Sequence, residues 1–341
     1  MILTSAQNGP VILLAHGDGG ALTRELVDSL FRKYFSGEEL KLLMDAAVLP
    51  GGRGRLALTT DSFVVSPLFF PGGDIGKLAV CGTVNDLAVS GAHPQYLAAS
   101  FMIEEGLPLA VLEKVAASMA AACREAGVEI VAADTKVVER GHLDKLFITT
   151  TGVGWRPEQI DLGYHRLAPG DRVLINGTLG DHGMAVLAER HGLGLDGRIE
   201  SDCAPLNRII ADLLVLAPAV KIMRDLTRGG LATAVKEIAL AAGVDIWLEE
   251  DALPVTPAVQ GAVQLLGLDP LYLANEGKFL AVVDPREAEA ALAVLRSNPL
   301  GRQAAIAGEV KPGKGNAYLR TPLGGTKILD LLAGAPLPRI C

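Results

Sequence analysis

GKLAVCGTVNDLAVSG (76–91) has apolar residues at helical spacing, interrupted by three polar side chains, Thr83, Asn85 and Asp86. An ionised carboxylate inside an apolar run is costly unless it is paired or metal-bound, so Asp86 marks either a cap or a site. The flanking runs have strand texture: LALTTDSFVV (56–65) before the helix and PQYLAASFMIE (94–104) after it. A second helical pattern over 108–126, opened by Pro108, leads to VEIVAADTKVV (128–138), and LFITTTGVGW (146–155) completes the set. Strands interleaved with helices predict an α+β layer in which helices cover one side of a sheet.

A similar order begins after the Gly/Pro-marked turn LAPGDRV (167–173). DRVLINGTL, VDIWLEE, FLAVVD and AAIAGEV read as strands, with helices over roughly 181–192, 205–217, 229–243, 256–267 and 286–297. At 341 residues the chain is longer than one core usually organises. The expected division is an N-terminal domain over 1–165, a second α+β domain over 166–331 and a mobile tail over 332–341.

Hydrophobic residues make up 50% of the chain and charged ones 21%, which excludes a disordered chain. A net charge of −8 with no Lys/Arg-rich block argues against a nucleic-acid partner. The N-terminus MILTSAQNGPVILLAHGDGG has no charged n-region, and its apolar run Val11–Ala15 is too short for a signal-peptide core. No segment approaches the roughly 20 apolar residues that span a bilayer. A soluble, cytoplasmic protein is expected.

The acidic residues carry more information. Asp45 stands in LLMDAAVLPGG, Asp61 in LTTDSFVVS, Asp86 in TVNDLAVSGA, Asp134 in VAADTKVVE and Asp225 in MRDLTRGGLA. Any one of them could cap a helix or end a strand. Together, lying within or beside apolar runs, they argue for a shared site, and carboxylates around Mg²⁺ bridging nucleotide phosphates would explain them. His16-Gly17-Asp18-Gly19-Gly20, running into a helical pattern, could turn backbone N–H groups toward an anion or simply form a turn.

The order HGDGG, MDAAVL, TTDSF, TVNDLAVSGA, DTKVVE, RDLTRGGLA, NEG resembles the ATP-binding superfamily of aminoimidazole ribonucleotide synthetase, thiamine-phosphate kinase and selenophosphate synthetase. The resemblance spans nearly the whole length. Selenophosphate synthetases carry a reactive Cys or selenocysteine with a Lys near the N-terminus, and the first 30 residues here have neither a Cys nor a Lys. The terminal Pro338-Arg339-Ile340-Cys341 is similar instead to the carrier-thiol end of the superfamily branch that matures hydrogenases.

That resemblance implies a two-domain α+β fold of the aminoimidazole ribonucleotide synthetase type, each domain a mixed sheet covered by helices. It implies ATP and Mg²⁺ as cofactors, with nucleotide contacts from His16, Gly17, Gly19, Gly20, Thr60, Asn85, Asp134 and Thr227. Asp45, Asp61, Asp86 and Asp225 would hold metal. Lys136 would stabilise developing phosphate charge or assist proton transfer, Glu276 would be the base, and Cys341 would carry the reacting group. The implied activity is ATP-dependent dehydration of an S-carbamoyl group on Cys341 to an S-cyano group, which supplies the cyanide ligand of the hydrogenase iron. The implied partners are the carbamoyltransferase HypF, a HypC–HypD complex as cyanide acceptor, and a second copy of the chain joined through the N-terminal halves. Members of the branch commonly have a small residue where Asp18 stands, and some relatives pair two acids where only Asp45 is found.

Cys81, Cys123, Cys203 and Cys341 are scattered with no CxxC pair, so no zinc knuckle or disulfide framework is indicated. Cys81 and Cys123 read as core filling. Ahead of Cys341, Ala335-Pro336-Leu337-Pro338 favours an extended chain. At polyproline rise, 332–341 would reach about 25–30 Å. The α-carboxylate should raise the thiol pKa, Arg339 should offset part of that, and the site the tail enters is expected to activate the thiol. Two other functions remain open on the residues alone: a superfamily kinase or ligase acting on a small metabolite, which has no use for Cys341, and a non-catalytic thiol carrier, which has no use for the acids.

Overall fold

The computed structural model describes residues 4–5, 9–16, 21–35, 51–195, 198–331 and 339–341. Of the expected site residues, Gly17, Gly19, Gly20 and Asp45 lie outside these residues, as does most of the tail.

The first sheet contains β1 (Arg55–Phe63), β2 (His93–Glu104), β3 (Glu129–Val138) and β4 (Leu146–Arg156), in the order β1-β4-β2-β3. β4 runs antiparallel to both β1 and β2, while β2 and β3 are parallel and joined through helix α2 (Leu109–Ala126). β1 and β3 are therefore the two edges. Helix α1 (Ile75–Val89) packs on the same side as α2, and Asp74 caps it by accepting from the N–H groups of Gly76 and Lys77. Nearly every residue of α1 is buried, which suits a helix enclosed between a sheet, a second helix and the other half of the molecule. Among the described residues no helix covers the outer face of the sheet, where Leu56, Leu58 and Met102 are exposed.

The second sheet contains β5 (Arg172–Ile175), β6 (Val220–Asp225), β7 (Val244–Glu249), β8 (Phe279–Val283), β9 (Ala305–Pro312), β10 (Ala317–Arg320) and β11 (Thr326–Leu329). Its order is β6-β8-β5-β9-β7-β10-β11, antiparallel except for the β7–β10 pair. The helices are α3 (Asp181–His191), α4 (Asn207–Leu213), α5 (Gly230–Ala242), α6 (Pro257–Leu266) and α7 (Ala288–Ser297). Here the expectation of helices on one side is corrected. Leu280 and Val282 of β8 enter a core with α5, whereas Phe279, Ala281 and Val283 enter another with α4 and α7. A strand buried on both faces has no polar alternation to show, and FLAVV has none. β6, β10 and β11 were not read from the sequence.

Ala88 and Val89 of α1 belong to the α4–α7 core, so the two sheets share packing through this helix. Among the described residues no helix is long and apolar enough to cross a membrane.

Candidate active site

Beneath the junction of the two sheets lies a cavity of about 680 Å³. Its polar walls are Thr59, Thr60 and Asp61 of β1, Asp86 of α1 and Ser90 just after it, Arg224 and Asp225 at the end of β6, Thr227 and Arg228 beyond it, Glu276 before β8, and Cys341.

Thr83, Asn85 and Asp86 of α1 point to three different partners. Thr83 meets Thr150 of β4 through their hydroxyls. Asp86 faces the cavity and accepts from Thr59 Oγ1 at 2.9 Å. Asn85 faces the second sheet: its Nδ2 donates to the carbonyls of Ala204 and Glu276, both at 3.1 Å, and its Oδ1 accepts from Leu206 N at 2.7 Å. The expected nucleotide contact from Asn85 is thus corrected. Its amide is committed to protein groups, and its work is to hold the Glu276 loop.

The turn from β6 into α5 uses Gly229 and Gly230 at φ 79° and 57°, where a side chain would be strained. This places Asp225, Thr227 and Arg228 on the cavity wall. On the opposite side, Asp202 accepts from the N–H groups of Glu276 and Gly277 at 3.0 and 3.3 Å and pairs with Lys278 at 2.9 Å. Burial opposes the charge on Asp202, but Lys278 and the Glu276 N–H hold its pKa below the usual carboxylate value. A Cβ at Gly277 would run into the Asp202 carbonyl, so the Asn275-Glu276-Gly277 loop can close against that residue only with glycine there.

The carboxylates of Asp61, Asp86, Asp225 and Glu276 outnumber the two cations on the cavity wall, Arg224 and Arg228. Burial, then the nearby carboxylate of Asp225, pushes Asp86 up to about 6. Burial raises Asp225 as well. Glu276 is 2% exposed, its Oε1 has no hydrogen-bond partner among the described residues, and burial lifts it well above the ordinary glutamate value.

Cys341 is buried at 7% exposure. Its thiol is pushed up to about 12 by burial and then by Glu276, with Arg228 the opposing cation. Two expectations are corrected here. The docked tail does not activate the thiol, because burial and the nearby Glu276 carboxyl disfavour a thiolate. Nor does Arg339 offset the charge: its guanidinium donates to the Val64 carbonyl at 3.0 Å and to Asp144 at 2.7 Å.

The remaining expected site residues lie elsewhere. Asp134 and Lys136 sit on β3, exposed and paired with each other at 3.4 Å. His16 is buried in a turn that packs near β3, with Nδ1 accepting from Leu13 N at 2.9 Å. β3 is the edge opposite β1, three strand spacings or about 14 Å away. One chain therefore does not bring Lys136 to Glu276 and Cys341. Of the expected metal residues, Asp61, Asp86 and Asp225 share the cavity, yet among the described residues no three acidic, His or Cys side chains converge on a single ion position.

Residues 43–155 match the N-terminal domain, and residues 168–319 the C-terminal domain, of AIR synthase related proteins. The carbamoyl dehydratase HypE of Escherichia coli K12 is 51% identical, over 97% of this chain and 99% of its own length. The chain belongs to the HypE carbamoyl dehydratase family. A crystal structure of the hydrogenase maturation protein HypE in complex with ATP superposes with a TM-score of 0.93 at 47% identity, covering 96% of this chain and 99% of its own. A structure of a HypE–HypF complex gives 0.80 at 48% identity, covering 92% and 100%.

For a HypE-family chain, three residues at this site went unread in the sequence. Arg228 was visible as the second arginine of RDLTRGG, beside two glycines. Asp202 stands in ESDCAP among residues that show no pattern. His182 in GDHG was noticed without a role.

Proposed function

We propose that the cavity converts a carbamoyl group carried as a thioester on Cys341 into an S-cyano group, consuming ATP. The observation that carries this reading is that Cys341 lies in the same cavity as three aspartates and a buried glutamate whose Oε1 has no hydrogen-bond partner among the described residues.

The amide oxygen of a carbamoyl thioester is a poor leaving group. Transferred onto it, the γ-phosphoryl group of ATP converts that oxygen into phosphate. Loss of both nitrogen protons and departure of phosphate leave Cys–S–C≡N, ADP and inorganic phosphate. Glu276 is placed to take a nitrogen proton. A carboxylate held above its ordinary pKa is a stronger base, and its free Oε1 is committed to no other group. Arg228 faces both Cys341 and Glu276 and would balance charge developing on oxygen.

The acids fit an Mg²⁺ ion that arrives with phosphates better than an all-protein cage. Mg²⁺ usually takes one or two carboxylates and completes its shell with water and phosphate oxygens. When bound it would polarise the phosphates. Burial and the neighbouring Asp225 carboxylate lift Asp86 to about 6, and such a cation would offset both.

The raised thiol pKa supports a carrier. A thiol protonated in the cavity is a poor nucleophile there, so the carbamoyl group would be loaded elsewhere. A loaded thioester has no ionisable proton and loses nothing by burial. HypF would be the donor and a HypC–HypD complex the cyanide acceptor. A homodimer joined through the first sheet, with its exposed Leu56, Leu58 and Met102, would supply Lys136 and Asp134 of a second copy to the cavity.

The test is intact-mass analysis of the carbamoylated protein with Mg-ATP. Loss of about 18 Da, one water, is expected by the chemistry of amide-to-nitrile conversion. Phosphorylation of an added metabolite, with no change at Cys341, would favour a superfamily kinase. An unchanged mass with no ATP turnover would leave only a carrier.

A further inference from the structure

The last three residues are held by the Arg339 side chain, by burial of Ile340, and through their backbone. Val64 N donates to a Cys341 oxygen and Ser66 N to the Arg339 carbonyl, both at 3.2 Å. Two side chains of α3 complete the grip. His182 Nε2 lies 2.8 Å from the Ile340 carbonyl, and Arg190 Nη2 donates to the Arg339 carbonyl at 2.6 Å while its Nε donates to the Ser66 carbonyl at 2.8 Å.

His182 is fully buried, with Phe70 edge-on at 5.4 Å. A carbonyl only accepts, so Nε2 carries the proton, and Nδ1 accepts from Ser201 Oγ at 2.8 Å. Ser201 Oγ in turn accepts from Cys203 N at 3.1 Å. The tautomer is thereby fixed as the one that can donate to the tail. The imidazole is not beside the thiol chemistry and does not line the cavity; its hydrogen bond to Ile340 is its link to the site. Arg339 itself adopts φ 55°, a left-handed conformation that costs a non-glycine residue free energy, so the docked tail is held against backbone strain.

We infer that His182 and Arg190 are positioning residues that dock the chain terminus in the cavity by gripping the backbone carbonyls of Ile340 and Arg339. The inference rests on the reading of Cys341 as a carrier. A dock that reads carbonyls is indifferent to what the Cys341 sulfur bears, so it accepts the free, carbamoylated and cyanated tail alike. Strain at Arg339 offsets part of the grip and keeps the tail releasable.

The experiment measures labelling of each cysteine by N-ethylmaleimide, resolved by peptide mass, in the full-length protein without nucleotide. His182→Ala and Arg190→Ala should each speed labelling of Cys341 by about tenfold or more, as expected for losing a buried hydrogen bond. Cys81, Cys123 and Cys203, buried in the cores, should stay unlabelled. His182→Gln, whose amide can donate to the same carbonyl, should restore slow labelling. If His182→Ala labels all four cysteines, it has unfolded, and His182→Gln and Arg190→Ala decide the matter. Cys341 labelling at the parental rate in a folded His182→Ala or Arg190→Ala protein overturns the dock. Because no carbamoyl donor is present, failure of the proposed dehydration would leave this readout unaffected.

Discussion

The Asn85 amide donates to the main-chain carbonyl of Glu276 at 3.1 Å, so the helix that carries Asp86 also holds the loop that carries the base. Replacing Asn85 by Ala would strand the Ala204 carbonyl and the Leu206 N–H, each at a cost of about 1–3 kcal/mol if left dry, and would leave the Glu276 carbonyl with only a 3.5 Å bond from Ala204 N. Asn85→Ala should therefore lower the thermal midpoint and reduce kcat by more than it raises the KM for ATP. A higher KM with unchanged stability would restore Asn85 as a nucleotide contact.

Asp86 should trade stability against function. Its folded pKa of about 6 lies above the ordinary 3.8, so the folded protein binds this proton more tightly than the unfolded chain does. Its contribution becomes unfavourable as pH climbs from about 4 to about 6, and is fully so above that. The gap corresponds to roughly 2–3 kcal/mol. Without nucleotide, Asp86→Asn should melt higher than the parent at pH 8 and nearly equal to it at pH 4. It should also lose Mg-dependent ATP hydrolysis. Equal melting at both values, or normal hydrolysis, would contradict the placement of this carboxylate.

These residues show what the sequence could and could not convey. The four strands of the first sheet and its two main helices were legible because their alternation and helical spacing are local. Polar residues inside the apolar α1 marked that helix as special, but the pattern could not say that Asn85 faces protein while Asp86 faces a cavity. β6 is hard to read because VKIMRD is short, and Lys221 with the Arg224-Asp225 pair breaks both a continuous apolar run and a clean alternation. Lys136 and Glu276 were expected side by side, yet strand order puts Lys136 on the far edge, and order is not written in periodicity. The burial of Cys341 depends on contacts with α3 and with residues 64–66, distant in sequence.

Glu276 should impose its own pH dependence. A base must be unprotonated, and burial raises this one, so dehydration at saturating Mg-ATP should fall with decreasing pH well above the ordinary glutamate value of 4.5. Glu276→Gln should remove that acidic limb and lower the plateau by about 10²–10⁴-fold, while Cys341 still accepts a carbamoyl group. Single-turnover mass spectrometry across pH measures both effects. An acidic limb unchanged in Glu276→Gln would assign it to another group.

The separation of Lys136 from Glu276 gives the sharpest test of the two-chain site. If each cavity takes Lys136 from one subunit and Glu276 with Cys341 from the other, Lys136→Ala and Glu276→Gln homodimers are each inactive for a different reason. In a mixed dimer one cavity combines the intact Lys136 of the Glu276→Gln chain with the intact Glu276 of the Lys136→Ala chain. The other cavity carries both defects. After subunit exchange at equal concentrations about half the dimers are mixed, so activity should recover to roughly a quarter of the parental value. Conversion should appear only on Cys341 of the Lys136→Ala chain, which its mass distinguishes. Failure to recover, with mixed dimers demonstrated by native mass spectrometry, would place Lys136 outside the partner's cavity and leave Arg228 as the cation facing the reacting group.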